Sequence, residues 1–220
     1  MGNGLKQRLR EWLVPVPNAV FPSVGVELAP YRALLRGKVL NIGAGRRDIS
    51  GFVDGELINQ DIRWENEDRT HIQIYSPIHQ VPVPDGHFDT ILCNAVLEHV
   101  ENPEEAMREM YRVLKKGGHL ILAVPFLQPE HKVPTDFQRY TKDGLIRLAT
   151  VHGFEVTEVR GLFTVYTTIY WILWEWLQLK KTMGYRLLRL MILPFFAWRA
   201  GKSKTYSDKL ASGFQIIAVK

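Results

Sequence analysis

The chain has 220 residues, 46% of them apolar, which is long enough for one α/β domain with additions and apolar enough for a substantial core. Its formal charge of +5 is mildly basic; a solvated surface accounts for it, and a basic face toward anionic lipid or nucleic acid stays open. The single cysteine, Cys93, excludes an intramolecular disulfide framework and suits a reducing compartment.

Residues 1–14 are charged throughout and lack a continuous apolar core, so they do not read as a secretory signal. Lys6 stands where a myristoylation site requires Ser or Thr. Leu5, Leu9, Trp12 and Leu13 recur at helical spacing and predict a short amphipathic helix over 5–14, docked on the core, with membrane contact as the alternative. Pro15, Pro17, Pro22 and Pro30 then read as an extended linker, and residues 30–37 as a helix feeding the first strand.

Residues 38–42 form an apolar run that ends in Gly43-Ala44-Gly45, the pattern of a buried strand turning sharply into a helix. Two residues without obstructing side chains let the backbone turn tightly and approach a ligand. A loop crosses 46–53. A second apolar run over 56–62 carries Asp61, where a ribose-gripping acid belongs in a nucleotide-binding βαβ unit. Residues 63–69 are charged and loop-like, 71–75 a short third strand, and 89–94 a fourth strand with Cys93 as buried packing. Asn102 as N-cap, Pro103 at the first helical position and Glu105 three residues on make a capping-box start. That helix is expected to end with Lys115 and Lys116 in its last turn and Gly117 beyond.

A fifth strand over 119–124 stops at Pro125, and a long polar-aromatic loop over 125–140 follows it. Thr141 caps a helix running to His152, Gly153 closes it, and strands follow over 154–160 and 213–219. The alternation implies a mostly parallel sheet with helices on both faces and a ligand at the strands' carboxyl ends. Residues 162–179 are nearly uncharged except for Glu175; Lys180, Lys181 and a second apolar stretch over 186–200 come next. The length reaches the threshold for a spanning helix, but threonines, Gln178, Glu175 and the return of the final strand to the sheet argue against a crossing. Two readings stay open: a helical hairpin lying in a membrane interface, with aromatic and basic edges, and a soluble substrate lid or dimer interface.

Four stretches arrive in register. They are residues 88–100 with Asn94-Ala-Val-Leu and Leu97-Glu-His-Val100, then Asn102-Pro-Glu-Glu105, then Arg112-Val-Leu-Lys-Lys-Gly-Gly118, then the strand over 119–124. In order and spacing, over roughly 36–160, the chain resembles the class I S-adenosylmethionine (SAM)-dependent methyltransferases, type 11-like. The resemblance implies a Rossmann-like, doubly wound α/β sheet of seven strands, mostly parallel with an antiparallel last strand. It divides the chain into an N-terminal helix and linker (1–35), a SAM-binding core (36–160), a hydrophobic helical insertion (161–205) and the final core strand (206–220).

It also implies a cofactor site for S-adenosyl-L-methionine formed by Asn41, Gly43, Ala44, Gly45, Asp61, Ile62, Asn94 and Leu97. Asp61 would accept from both ribose hydroxyls and Ile62 would lie against the adenine. Asn41 stands where the family usually has an acid at the methionine end, and neither Ser76 nor Pro77 supplies the acid that often accepts from the adenine amino group. For catalysis, His131 in the loop after the fifth strand is a candidate general base, His99 faces the cleft in family members, and Arg139 and Tyr140 would orient substrate. No metal is expected, since no His/Cys/Asp cluster has ligand spacing.

The implied reaction is methyl transfer to a small or lipid-linked acceptor at oxygen, in a cytoplasmic protein that can lie peripherally on a membrane through 162–200. Two rivals stand beside it: a SAM-binding degenerate member acting as a membrane-associated partner subunit, and a nucleic-acid methyltransferase. Scattered basic residues, and Asn94-Ala-Val-Leu in place of an Asn/Asp-Pro-Pro-aromatic motif, argue against the second. A dimer stays open.

Overall fold

The computed structural model describes residues 14–63, 69–132 and 134–220; apart from Val14, the helix expected over 5–14 lies outside them. Seven strands, β1 (Arg36–Ile42), β2 (Asp54–Asp61), β3 (Ile74–Tyr75), β4 (Phe88–Asn94), β5 (Leu114–Pro125), β6 (Glu155–Leu162) and β7 (Gly213–Val219), form one sheet in the order β3-β2-β1-β4-β5-β7-β6. β1 pairs in parallel with β2 and with β4, and β4 pairs in parallel with β5. The last strand runs the other way: Gly117 donates to the Lys220 carbonyl and Lys220 to the Gly118 carbonyl, so the end of β7 meets the beginning of β5. Val39, Leu40 and Ile42 of β1 and Ile91 of β4 are fully buried, as expected of central parallel strands covered on both faces. Chain order reverses on the two sides of β1, which opens a crevice at the carboxyl ends of β1 and β4.

Four local expectations are corrected. The proline-bearing stretch before β1 is not extended but holds two short helices, α1 (Pro17–Val20) and α2 (Val24–Leu28), with a 3-10 turn at Ala29–Tyr31. Pro17 occupies the first turn of α1, where a missing N–H costs nothing. The helix expected over 30–37 is displaced to 24–31 because Leu28, Tyr31 and Leu35 anchor on Val39, Leu92 and Ile121. The glycine turn does not open a helix: a 3-10 turn at Ser50–Phe52 is the helical piece between β1 and β2, and Ile49, Phe52 and Val53 cover the sheet there.

The fourth correction concerns α3 (Pro103–Val113), which stops before the two lysines. Leu114 is already extended and pairs with Phe88, and Lys115 Nζ reaches Asp89 Oδ1 at 2.6 Å, so cross-strand partners draw 114–118 into β5. Asn102 makes no side-chain cap. Thr141 does, accepting from the Gly144 amide at 3.1 Å ahead of α4 (Lys142–Val151), and Gly153 closes that helix with φ +92°.

The chain divides into two compact units. One holds the sheet: residues 24–125, 131–160 and 214–220. The other comprises residues 1–23, 126–130 and 161–213, and it contains α1, α5 (Val165–Trp176) and α6 (Met183–Lys202). Thr164 caps α5 by accepting from the Thr167 amide. Tyr170, Leu177, Leu193 and Val14 form this unit's small core, and Arg189 donates to the Leu177 carbonyl at 2.7 Å. Leu187, Leu190, Met191, Phe195 and Trp198 of α6 remain exposed. Among the described residues no helix is long and apolar enough to cross a membrane.

Candidate active site

The backbone leaving β1 enters the left-handed region at Gly43 (φ +62°) and again at Gly45 (φ +59°). At Gly43 the requirement is double, because a Cβ there would stand 2.4 Å from a Val96 methyl. The turn is tied to the end of β2: the Gly43 amide donates to Gln60 Oε1 (3.1 Å), the Ala44 amide to the Gln60 carbonyl (2.9 Å) and the Gly45 amide to Asp61 Oδ2 (2.9 Å). Asp61 Oδ1 accepts the Ile62 amide at 2.7 Å, and Arg69 Nη1 lies 2.8 Å from Oδ2. His71 Nε2, 2.9 Å from the Gly45 carbonyl, donates to it and clamps the turn from the other side.

These groups form one wall of a cavity of about 350 Å³, a volume in the range of small-ligand sites. Gly43, Gly45, Gln60, Asp61, Ile62 and Arg69 line that wall; Ile78, Val96, Val100 and Pro134 make the apolar remainder, with His99 and His131 beside them. Ala95, also in the lining, holds φ +57° just past β4, and its amide donates to the Ala123 carbonyl. A left-handed alanine is a strained residue, of order 1 kcal/mol, and such residues gather at functional turns. A carboxylate beside two side-chain-free positions, facing aliphatic walls, suits a ribose and an adenine. Asp61 has about four lone-pair sites, and Gly45, Ile62 and Arg69 take three of them.

Of the residues expected at the cofactor, Gly43, Gly45, Asp61 and Ile62 line this cavity, and Asn41, Ala44, Asn94 and Leu97 do not. Asn41 donates to Asn59 Oδ1 across the β1–β2 ladder at 2.9 Å, so its amide serves the sheet rather than a methionine end. Asn94 donates to Glu27 Oε2 at 2.9 Å, while Ala44 and Leu97 are buried. Nor do Arg139 and Tyr140 reach the cavity. Arg139 grips Asp136 with both terminal nitrogens, Nη2 at 2.6 Å from Oδ2, and this guanidinium holds the Asp136 carboxyl down at about 2. The Tyr140 hydroxyl is buried with no hydrogen-bond partner, and burial pushes its phenol well above the usual range. Burial likewise pushes the Cys93 thiol up, as packing in β4 requires.

Both candidate histidines face the cavity, with rings nearly perpendicular and centroids 5.2 Å apart. His99 Nδ1 donates to the Thr135 carbonyl, which fixes Nε2 as the ring's accepting nitrogen. The expectation of no metal rested on spacing along the chain; the fold gathers Glu98, His99 and His131 so that one ligand atom from each lies within 4.8 Å of the others. Sequence reasoning missed Glu98, Gln60, Arg69 and Asp136. Two of them had a visible signal, since Gln60 and Glu98 adjoin Asp61 and His99.

Residues 56–122 match the family described as "Methyltransferase domain". The chain is similar to the ubiquinone/menaquinone biosynthesis C-methyltransferase UbiE of Shewanella oneidensis, 32% identical over 114 residues that cover 44% of this chain and 45% of that protein. It is also similar to an uncharacterized 37.1 kDa transposon protein of Streptomyces fradiae, 29% identical over 47% of this chain and 34% of the relative. The chain thus spans less than half the length of these curated relatives. In fold it is similar to a SAM-dependent methyltransferase from Archaeoglobus fulgidus (TM-score 0.55, 17% identity, 98% of this chain and 99% of that one). The [4+2]-cyclase SpnF is similar too (TM-score 0.58, 17% identity, 90% and 79%).

Proposed function

We propose that the chain, whose residues 56–122 match the methyltransferase-domain family, is a class I SAM-dependent methyltransferase that moves a methyl group from S-adenosyl-L-methionine to a small or lipid-linked acceptor, at an oxygen atom. The observation that carries this reading is the meeting of the Gly43–Gly45 turn with the Asp61 carboxylate on one cavity wall. SAM supplies a methyl group already activated on a sulfonium. What remains for the protein is to bind, align and exclude water. Asp61 accepts from one ribose hydroxyl through its remaining lone pair and from the second where Arg69 yields its place. Ile62 and Ile78 border the adenine, and the bend at Ala95–Val96 closes the wall. His131 or His99 takes the proton of an acceptor hydroxyl, His99 through the Nε2 that its bond to Thr135 leaves as acceptor.

The lipid-linked class is supported by two things. One is the similarity to UbiE, a ubiquinone/menaquinone biosynthesis C-methyltransferase, which sets carbon beside oxygen as the receiving atom. The other is the exposed apolar face of α6, bordered by Arg186, Arg199 and Lys202, which reads as a peripheral membrane contact. The test is a screen with methyl-labelled SAM against lipid extracts and small polar acceptors, the labelled product then identified by the atom it carries the methyl on. Absence of SAM binding in calorimetry ends this reading.

A second reading, a SAM-binding partner subunit without turnover, is favoured by Asn41 being spent on Asn59 and by Arg69 occupying Asp61. SAM binding with no labelled product from any acceptor would select it.

A further inference from the structure

Glu98 is fully buried, and neither of its carboxylate oxygens has a hydrogen-bond partner. A buried carboxylate is tolerated only when a cation or a proton meets it. The Cys93 thiol and the Tyr140 hydroxyl lie near enough to feel its charge, and two imidazoles face it within ion-pair range: Glu98 Oε1 lies 3.6 Å from His131 Nε2 and 3.7 Å from His99 Nε2. These separations are too long for hydrogen bonds. They are close to the spacing of ligands around one ion, since two atoms each about 2.1 Å from Zn²⁺ in a tetrahedron stand about 3.4 Å apart.

The surroundings orient the same three atoms. His99 gives its Nδ1 proton to the Thr135 carbonyl, which turns the Nε2 lone pair toward Glu98. Asp136 Oδ2 accepts the His131 backbone amide at 2.8 Å and lies 3.7 Å from His131 Nδ1, while Arg139 locks the carboxylate in place. A carbonyl partner on the far ring nitrogen, as His99 has, is characteristic of metal-binding histidines; for His131 the Asp136 carboxylate is a nearby charge rather than a hydrogen-bond partner.

We propose that Glu98, His99 and His131 bind a divalent first-row transition-metal ion, with Zn²⁺ the best match to two imidazoles and one carboxylate. Three protein ligands would leave a position open, beside the cavity that both histidines line. Two nitrogen ligands disfavour Mg²⁺ and Ca²⁺, which take oxygen. In the loaded chain the two imidazoles act as ligands rather than as bases.

The experiment uses the full chain, stripped with EDTA and titrated with Zn²⁺, Co²⁺ or Mg²⁺ in the absence of SAM and acceptor. One Zn²⁺ per chain is expected, with no binding of Mg²⁺. His131→Ala and Glu98→Gln should weaken Zn²⁺ by more than about a hundredfold, beyond the loss typical of removing an outer partner, and Asp136→Asn by about tenfold. Bound Co²⁺ should show the intense visible bands of a low-coordinate site, a readout on the unaltered protein that needs no variant to fold. Absence of stoichiometric Zn²⁺, a Co²⁺ spectrum like that of the aqua ion, or Zn²⁺ affinity unchanged in His131→Ala would each overturn the site and leave a proton shared between Glu98 and the imidazoles. Because no methyl donor is present, failure of the metal site and failure of SAM binding are read separately. A loaded site would remove only the imidazoles as bases from the methyl-transfer reading and leave its SAM-binding wall untouched.

Discussion

Arg69 Nη1 stands 2.8 Å from Asp61 Oδ2, the same oxygen that accepts the Gly45 amide, and both side chains are nearly buried. The guanidinium therefore occupies a carboxylate lone pair that a ribose hydroxyl would use. Asp61→Ala should weaken SAM binding by about 1–3 kcal/mol, the worth of charge-assisted hydrogen bonds. Arg69→Ala should tighten SAM binding while lowering the thermal stability of the ligand-free chain. Calorimetry on the two variants decides the point: weaker binding in Arg69→Ala would make Arg69 a ligand-binding residue rather than a competitor.

The two glycines of the turn should respond differently to alanine. Both hold a positive φ, worth about 1–2 kcal/mol of strain for a residue with a Cβ. At Gly43 the new methyl also meets Val96 at 2.4 Å, whereas at Gly45 nothing lies within 4 Å. Gly43→Ala should thus destabilise the chain clearly more than Gly45→Ala, read as the shift in urea midpoint at constant m. Equal midpoints would show that the Val96 contact yields freely.

Burial, together with the hydrogen bond to Glu158 at 2.6 Å, pushes the Tyr31 phenol up to about 12, with Arg160 opposing. The folded chain therefore holds this proton more tightly than the unfolded one. The stabilisation is complete below pH 10 and is lost as pH rises through about 12. The Tm difference between the native chain and Tyr31→Phe should be constant up to about pH 10 and shrink above it. A difference that does not change with pH would contradict the assigned environment.

Replacing Met191 and Phe195 on α6 with serine should abolish co-sedimentation with anionic liposomes and leave SAM binding unchanged. Both residues are exposed, so the loss of packing is small. Retention on the liposomes would exclude this helix face as the membrane contact.

What was legible in the sequence was what local chemistry decides. Gly43, Gly45 and Asp61 could be found because a turn and an acid at the end of the next strand are separated by fixed chain geometry. β7 could be bounded because its apolar run starts at a glycine. The end of α3 was misjudged because Asp89, on another strand, captures Lys115. The role of Asn41 was hidden in the same way, its partner Asn59 being adjacent only once β1 and β2 pair in register. The Glu98–His131 contact joins the turn after β4 to the loop after β5, and no periodicity along the chain announces such a meeting.

Ala95 bends backward where a glycine would bend for nothing. Ala95→Gly would relax the folded chain by about as much as it loosens the unfolded one, so a melting curve would hardly register the exchange. The cavity would register it, because the pivot carrying Val96 and His99 would gain freedom. Anyone redesigning this protein for a bulkier acceptor has a dial at that position that leaves overall robustness alone.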